Sequence, residues 1–143
     1  MTTLYNTDVY AWTQQQVKLL RAEEWDKIDW QNITEEIDAL GASQRNELRN
    51  RLKILLLHLL KWQFQPEHQS NSWRASIDEQ RSSIADLLED NPSLHRLLNE
   101  SVAIAHPRAV RDAVKQTGLP KPTFPADCPY ALDKILDEDF YPA

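Results

Sequence analysis

A histidine, a lysine and an arginine between Leu55 and Arg81 carry side chains that could perform acid–base chemistry. His58 and Lys61 interrupt a dense leucine run, and Arg81 lies in the helical pattern that follows. Imidazole titrates near neutral pH, so His58 is the candidate proton carrier. Lys61 and Arg81 could hold an anion, with Glu36 orienting the imidazole. This group predicts an enzyme acting on a phosphate-bearing substrate, with RNA as one candidate.

The same residues also fit a structural polar seam, which is the interpretation we favour. On a helical projection His58 shares a polar stripe with Arg51, and Gln80 falls at the centre of the next helix's apolar stripe. A polar group directed inward must find a partner or cost roughly 1–3 kcal/mol. The seam therefore predicts that His58 bonds a neighbour and that Arg81 pairs with a carboxylate such as Glu36. Structural ion-pair networks often imitate active sites, and no nucleophile stands at a diagnostic spacing.

Two adjacent helices must position these side chains. The first is expected from Ala42 to Gln65, just before Pro66, and leucines cover more than half of its circumference. Within it, Glu47 and Arg51 are spaced for an i,i+4 ion pair. The second helix is expected after a capping residue among Ser70, Asn71 and Ser72, and should end at the segment EDNPS.

Two shorter helices are predicted before this pair. The first should start near Asp8, where Asn6, Thr7 and Asp8 are all good N-caps. Asp29 is a cap for the second, and Asn32 with Glu35 is an alternative capping box. The second carries an apolar stripe of Trp30, Ile33, Ile37 and Leu40. Gly41 should then end or kink that helix.

The C-terminal third contains most of the prolines. Asn91 and Pro92 predict the start of a helix, which Pro107 should break or kink before it resumes and ends at Gly118. Four prolines between Pro120 and Pro129 predict an extended strap that packs its apolar residues onto the helices. A last short helix, YALDKILDEDF, is expected after Pro129.

Composition points to the same fold class. The chain has 143 residues, of which 41% are hydrophobic and two are glycine. So few glycines argue against a hairpin-rich β-protein. We expect one all-α domain over residues 1–143, a compact bundle of five to six helices with a proline-rich C-terminal strap.

Charge and cysteine content exclude several classes of site. The net charge is −6, which disfavours nucleic acid as a partner without excluding it. Arg45, Arg49, Arg51 and Lys53 form a basic patch on the central helix, but we expect nearby acids to neutralise it. A single cysteine, Cys128, rules out an internal disulfide and suits a cytoplasmic protein.

No metal, cofactor or membrane segment is predicted. Histidines and carboxylates lack the spacing of a metal site, and there is no glycine-rich phosphate loop. His95 and His106 are expected at the surface or at helix caps. No apolar run approaches the roughly 20 residues that span a bilayer.

Several short motifs together resemble one family. They are Trp12, LLR at 19–21, EEI at 35–37, HLLKW at 58–62, SW at 72–73, QR at 80–81, GLP at 118–120 and ILDEDF at 135–140. In this order they resemble DUF29, a family of small bacterial proteins abundant in cyanobacteria. The resemblance implies a single all-α domain and no established activity, so it assigns no role to any residue.

These observations favour a non-catalytic module that binds a protein partner or forms a homo-oligomer. Such a module should present apolar side chains to solvent. An exposed Trp25 or Phe140 would point to this function.

Overall fold

A computed structural model describes residues 3–143, and these residues form six α-helices and no strand. The helices are α1 (Leu4–Thr7), α2 (Val9–Arg21), α3 (Trp30–Phe64), α4 (Asn71–Asp90), α5 (Leu98–Thr117) and α6 (Leu132–Leu136). Short 3₁₀ turns lie in the connections. The all-helical prediction is confirmed.

The chain packs as two compact units, the N-terminal unit up to Ser43 and the C-terminal unit of residues 44–143. Helix α3 contributes residues 30–43 to the first and 44–64 to the second. The single domain expected from the length stays a prediction.

The N-terminal unit is organised by side-chain hydrogen bonds more than by a core. Asp8 caps α2 as predicted, accepting from the Ala11 amide at 3.0 Å. The Trp12 indole donates to Asp29 Oδ2 at 3.1 Å, and the Gln16 side-chain oxygen accepts from the Asp29 amide at 2.8 Å. Asp29 Oδ1 also accepts from the Asn32 amide, so this one residue both caps α3 and ties it to α2.

Helix α3 runs without interruption through the position where a break was expected. Gly41 lies inside the helix, and no heavy atom lies within 4 Å of the place where a Cβ would be. The predicted boundary between two helices is therefore wrong. A single glycine lowers helix stability by about 1 kcal/mol, which flanking helical residues outweigh.

The core of the C-terminal unit surrounds the second half of α3. Six leucines of that helix are fully buried, namely Leu48, Leu52, Leu55, Leu56, Leu59 and Leu60. Ile77 and Ile84 of α4 and Ala105 and Ala109 of α5 are equally inaccessible to solvent. A helix buried on most of its sides is the centre of its unit, as the leucine pattern predicted.

Helix α5 tolerates Pro107 in its interior. The helix spans Leu98–Thr117, so the predicted break does not occur. Proline removes one backbone donor, but small buried residues on either side, Ala105 and Ala109, still pack on the same core. Gly118 ends the helix with φ +73°, as predicted, because glycine adopts that conformation without strain.

The proline-rich segment after α5 contributes aromatic side chains to the core. Phe124 and Tyr130 are buried, and the Phe124 ring lies 5.5 Å from that of Phe64. The Tyr130 hydroxyl donates to Gln63 Oε1 at 2.7 Å. The segment contains a 3₁₀ turn, Lys121–Thr123, and its description as an extended strap stays a prediction.

Candidate functional site

His58 is held by its own helix. Its Nδ1 donates to the Ile54 carbonyl one turn earlier, at 2.9 Å, which fixes the tautomer of the neutral ring. The side chain is half-buried, and burial lowers its pKa below the ordinary 6.5, with Lys61 acting in the same direction. With Nδ1 donating, Nε2 is the remaining acceptor of the neutral ring.

Lys61 lies one turn further along α3 and contacts a different set of groups. Its ammonium donates to Gln116 Oε1 at 2.9 Å and lies 4.7 Å from the centre of the Trp73 ring. Burial lowers its pKa from the ordinary value. A hydrogen bond and a cation–π contact orient this side chain within the helical packing.

Arg81 is 4% exposed and binds the C-terminal segment. Its guanidinium donates to three backbone carbonyls, those of Ile135 at 2.8 Å, Lys134 at 3.3 Å and Glu138 at 3.5 Å. The predicted carboxylate partner is therefore wrong. The last carbonyls of a helix lack the amides of a following turn. The Asp137 amide reaches the Lys134 carbonyl, and the arginine adds further donors and positive charge at this end of α6. Burial is the largest influence on its pKa and lowers it.

Glu36 has its own partner in the N-terminal unit. The Tyr5 hydroxyl donates to Glu36 Oε1, and this bond raises the pKa of Tyr5. No hydrogen bond or ion pair among the described residues joins any two of the four catalytic candidates. The proposed acid–base role is left as an untested hypothesis.

The predicted polar seam contains one direct contact. Arg51 donates from a terminal nitrogen to Gln80 Oε1 at 3.3 Å, so the inward-facing amide has a partner. Arg51 also lies 3.5 Å from Glu47, the ion pair that the i,i+4 spacing predicted. Arg51 and Glu47 border an open polar cleft of about 530 Å³. The cleft is also lined by Gln44, Ser83, Asp86, Leu87, Asp90 and Asn91.

The basic patch on α3 is largely neutralised by acids, as expected. Arg49 lies 3.8 Å from Glu100, and Lys53 lies 3.5 Å from Asp112. With Arg51 paired to Glu47, three of the four cations face a carboxylate. Such a surface offers few free charges to a phosphate backbone.

His106 was expected at the surface or at a helix cap, and that prediction is wrong. The predicted surface histidine is 2% exposed, and its Nε2 is buried without a partner among the described residues. It borders a cavity of about 270 Å³ together with Asp127 and the half-buried thiol of Cys128. Burial lowers the pKa of His106 and raises that of Cys128. The signal was its i,i+4 spacing to Val102 and Val110 on the buried face of α5.

The chain was compared with known proteins at the levels of family, curated sequence and solved structure. A family described as "Domain of unknown function DUF29" matches residues 4–141. The chain belongs to the DUF29 family. The resemblance of its motifs is thus confirmed over nearly the whole length. No curated protein and no solved structure matches it significantly.

Large apolar side chains of this DUF29 protein are exposed in one region. Among the described residues, eight have that property, namely Leu4, Val9, Tyr10, Val17, Trp25, Trp30, Ile37 and Leu40. All lie in the N-terminal unit. The stripe that contains Trp30, Ile37 and Leu40 was predicted from its period, and the structure places these three residues in solvent.

The most exposed part of the DUF29 chain's central helix is the run of residues 34–41. Each of these eight residues is exposed, with Ile37 at 65% and Leu40 at 62%. Trp25 is 52% exposed, and its ring lies 6.4 Å from that of Trp30. Phe140, by contrast, packs on the core of the C-terminal unit. Of the two aromatic markers of an interaction surface, only Trp25 is exposed.

Within residues 3–143, no group of three or more His, Cys, Asp or Glu side chains could hold a metal ion. None of the helices in that range combines the length and apolar character that crossing a bilayer requires.

Proposed function

We propose that this DUF29 protein is a cytoplasmic, non-catalytic interaction module that binds protein through its N-terminal unit. The observation that carries the proposal is the confinement of the eight exposed large apolar side chains to that unit. Scattered apolar residues are normal on any surface, but a concentration of them is typical of a protein-binding region.

The amount of exposed apolar surface supports the proposal. Aromatic side chains bury roughly 150–250 Å² each. Tyr10, at 74% exposure, and the half-exposed Trp25 and Trp30 therefore leave about 350 Å² in water. Five partly exposed aliphatic side chains bring the total for the unit to roughly 700 Å², summed over α1, α2, the turn at Trp25 and α3. A standard interface buries ~800 Å² on each partner, from apolar and polar groups together.

The partners of the catalytic candidates favour binding over catalysis. A phosphate-handling enzyme would need His58, Lys61 and Arg81 to face a common substrate. Each instead makes hydrogen bonds to a different group, and Arg81 spends its donors on three carbonyls. These contacts are what a structural seam requires.

Site-specific photo-crosslinking in cells tests the proposal. We place p-benzoylphenylalanine at Tyr10 or Ile37, and at exposed Glu89 of the C-terminal unit as the control. Discrete products are expected from the first two positions only, and a dimer of this chain counts as such a product. Equal yields at all three positions would overturn the proposal.

A crosslinked partner must also bind when purified. We expect the double variant Ile37→Ser, Leu40→Ser to weaken binding by about tenfold or more, because it removes apolar contact area. The control pair Glu79→Ser, Glu89→Ser should leave the affinity unchanged. If the apolar double variant binds as tightly as the wild type, the N-terminal unit is not the docking surface.

A further inference from the structure

Almost all of the net charge of this protein lies in the N-terminal unit. Up to Ser43 the sequence has eight acidic and three basic residues, a net charge of −5. Residues 44–143 have 14 acidic and 13 basic residues, a net charge of −1. The same 43 residues thus concentrate both the exposed apolar side chains and the negative charge.

Few of these carboxylates are compensated within the unit. The ion pair between Lys27 and Glu24, at 3.1 Å, is the one salt bridge found in the described part of the unit. Glu36 and Asp29 accept hydrogen bonds from neutral donors. The negative charge of this surface is therefore available to an external cation.

In residues 30–40 of α3, exposed apolar side chains and carboxylates lie next to one another. At ~100° per residue, Trp30, Ile37 and Leu40 lie within about 80° of one another and form a stripe along one face. Glu36 and Asp38 flank that stripe on opposite sides. A partner lying on this stripe would meet carboxylates along both of its edges.

We propose that the partner is a basic amphipathic helix of another protein, whose apolar face covers the stripe and whose Lys and Arg side chains pair with the flanking carboxylates. The proposal rests on the proposed function and names the chemistry of its partner. A second copy of this chain would bring five like charges against five. Nucleic acids and anionic membranes carry the same sign of charge and are repelled.

Defined peptides test the charge and the apolar face separately. The first probe is a Leu/Lys peptide of about 18 residues with leucines at helical spacing, long enough to form a helix. The second replaces every Lys by Glu, and the third is a scrambled Leu/Lys peptide without an apolar face. Titration calorimetry of the full chain should give micromolar binding for the first probe and at least about tenfold weaker binding for the others.

Variants of the protein then locate the site. Glu36→Lys with Asp38→Lys, at the two edges of the stripe, should weaken the Leu/Lys peptide by about tenfold or more. Glu79→Lys with Glu89→Lys changes the net charge equally in the C-terminal unit and should have little effect. Raising salt from about 0.15 M to 1 M, where the Debye length falls from ~8 to ~3 Å, should also weaken binding. Equal loss from both charge variants would mean that only the total charge matters, and the local site would be wrong.

Other outcomes would contradict a basic helical partner without contradicting protein binding by the N-terminal unit. If the Leu/Glu peptide binds as tightly as Leu/Lys, the basic partner is wrong but apolar docking stands. Anionic vesicles that bind the chain would replace the protein helix by a membrane and overturn the inference. A dimer in light scattering that Leu40→Glu dissociates would identify a second copy as the occupant. In each case the crosslinking experiment still decides independently whether the N-terminal unit binds protein.

Discussion

The two units of this protein differ in where their apolar side chains lie. The C-terminal unit has 22 buried hydrophobic residues in one core, while the N-terminal unit has two, Trp12 and Ile28. Conversely, the eight exposed large hydrophobics of the described chain are all in the N-terminal unit. The C-terminal unit is therefore stabilised by a buried apolar core. The helices of the N-terminal unit are held together by polar contacts, and its large apolar side chains remain exposed to water.

This difference suggests a division of labour. A unit whose apolar residues are buried has little left with which to attract a partner. The N-terminal unit leaves Trp25 and Ile37 exposed, and burying this apolar surface against a partner would favour association. The three candidates for acid–base chemistry, His58, Lys61 and Arg81, belong to the C-terminal unit, where each donates hydrogen bonds to neighbouring groups.

The largest expected effect contrasts one leucine from each unit. Leu56→Ala should lower the free energy of unfolding by about 2–5 kcal/mol, because it leaves a cavity around a fully buried position. Leu40→Ala should change it by no more than about 0.5 kcal/mol. Urea unfolding measures both. A cost above about 1 kcal/mol for Leu40→Ala would show that the side chain is covered, and the contrast would fail.

Arg81 should be the most costly polar residue of the C-terminal unit. Arg81→Met removes a buried donor from three carbonyls, of which that of Lys134 still accepts from the Asp137 amide, and we expect a loss of about 2–3 kcal/mol with faster hydrogen exchange in α6 and the residues after it. The control is Arg74→Met, because Arg74 is exposed and stacks over Trp62 and Tyr141. It should cost less than about 1 kcal/mol. Equal losses would contradict the capping role.

The two glycines give opposite predictions in the two units. Gly41→Ala adds a methyl group in open space inside α3 and should stabilise the protein by about 0.5–1 kcal/mol. Gly118→Ala places a side chain at φ +73° and should destabilise it by about 1 kcal/mol. Thermal unfolding and helix content by circular dichroism measure both. If Gly41→Ala destabilises the protein, α3 is not continuous there.

The smallest effect is on pH dependence, and it should be confined to the C-terminal unit, which contains all four histidines. Burial lowers the pKa of His106 below 6.5, so the folded state binds its proton less readily than the unfolded state. The free energy of unfolding should therefore fall as pH drops below about 6.5. His106→Leu should shrink that fall in urea titrations between pH 7 and 5. His68→Gln, at an exposed position, is the control, and an unchanged fall in both variants would contradict the role of His106.

Local signals were read correctly where the chain's own neighbours decide the outcome. The left-handed stop at Gly118 and the ion pair of Glu47 with Arg51 follow from short spacings and are present. Each of two helices is capped by one of its three predicted candidates, Asp8 and Ser70. The two partners of such a contact lie within about one helical turn of each other, so a short stretch of sequence is enough to predict it.

Errors occurred where packing outweighs a local preference. Gly41 and Pro107 both weaken a helix by themselves, yet α3 and α5 continue because the residues on either side remain helical or share a core. His106 looks like a surface residue by type, but its face of α5 is buried. For Pro107 and His106 the deciding contacts come from residues far away in the chain, whereas at Gly41 the helical residues on either side decide.

The sequence by itself determined that the chain is helical, where most helices begin and end, and that it belongs to DUF29. Period, caps and motif order are properties of neighbouring residues, so no tertiary information was needed. Tertiary structure alone decided which apolar stripe is buried and which polar side chains meet. The stripe of Trp30, Ile37 and Leu40 has the same period as a buried stripe, yet it lies in solvent. Periodicity shows which face of a helix is apolar. Whether another part of the chain packs on that face is decided only by the tertiary structure.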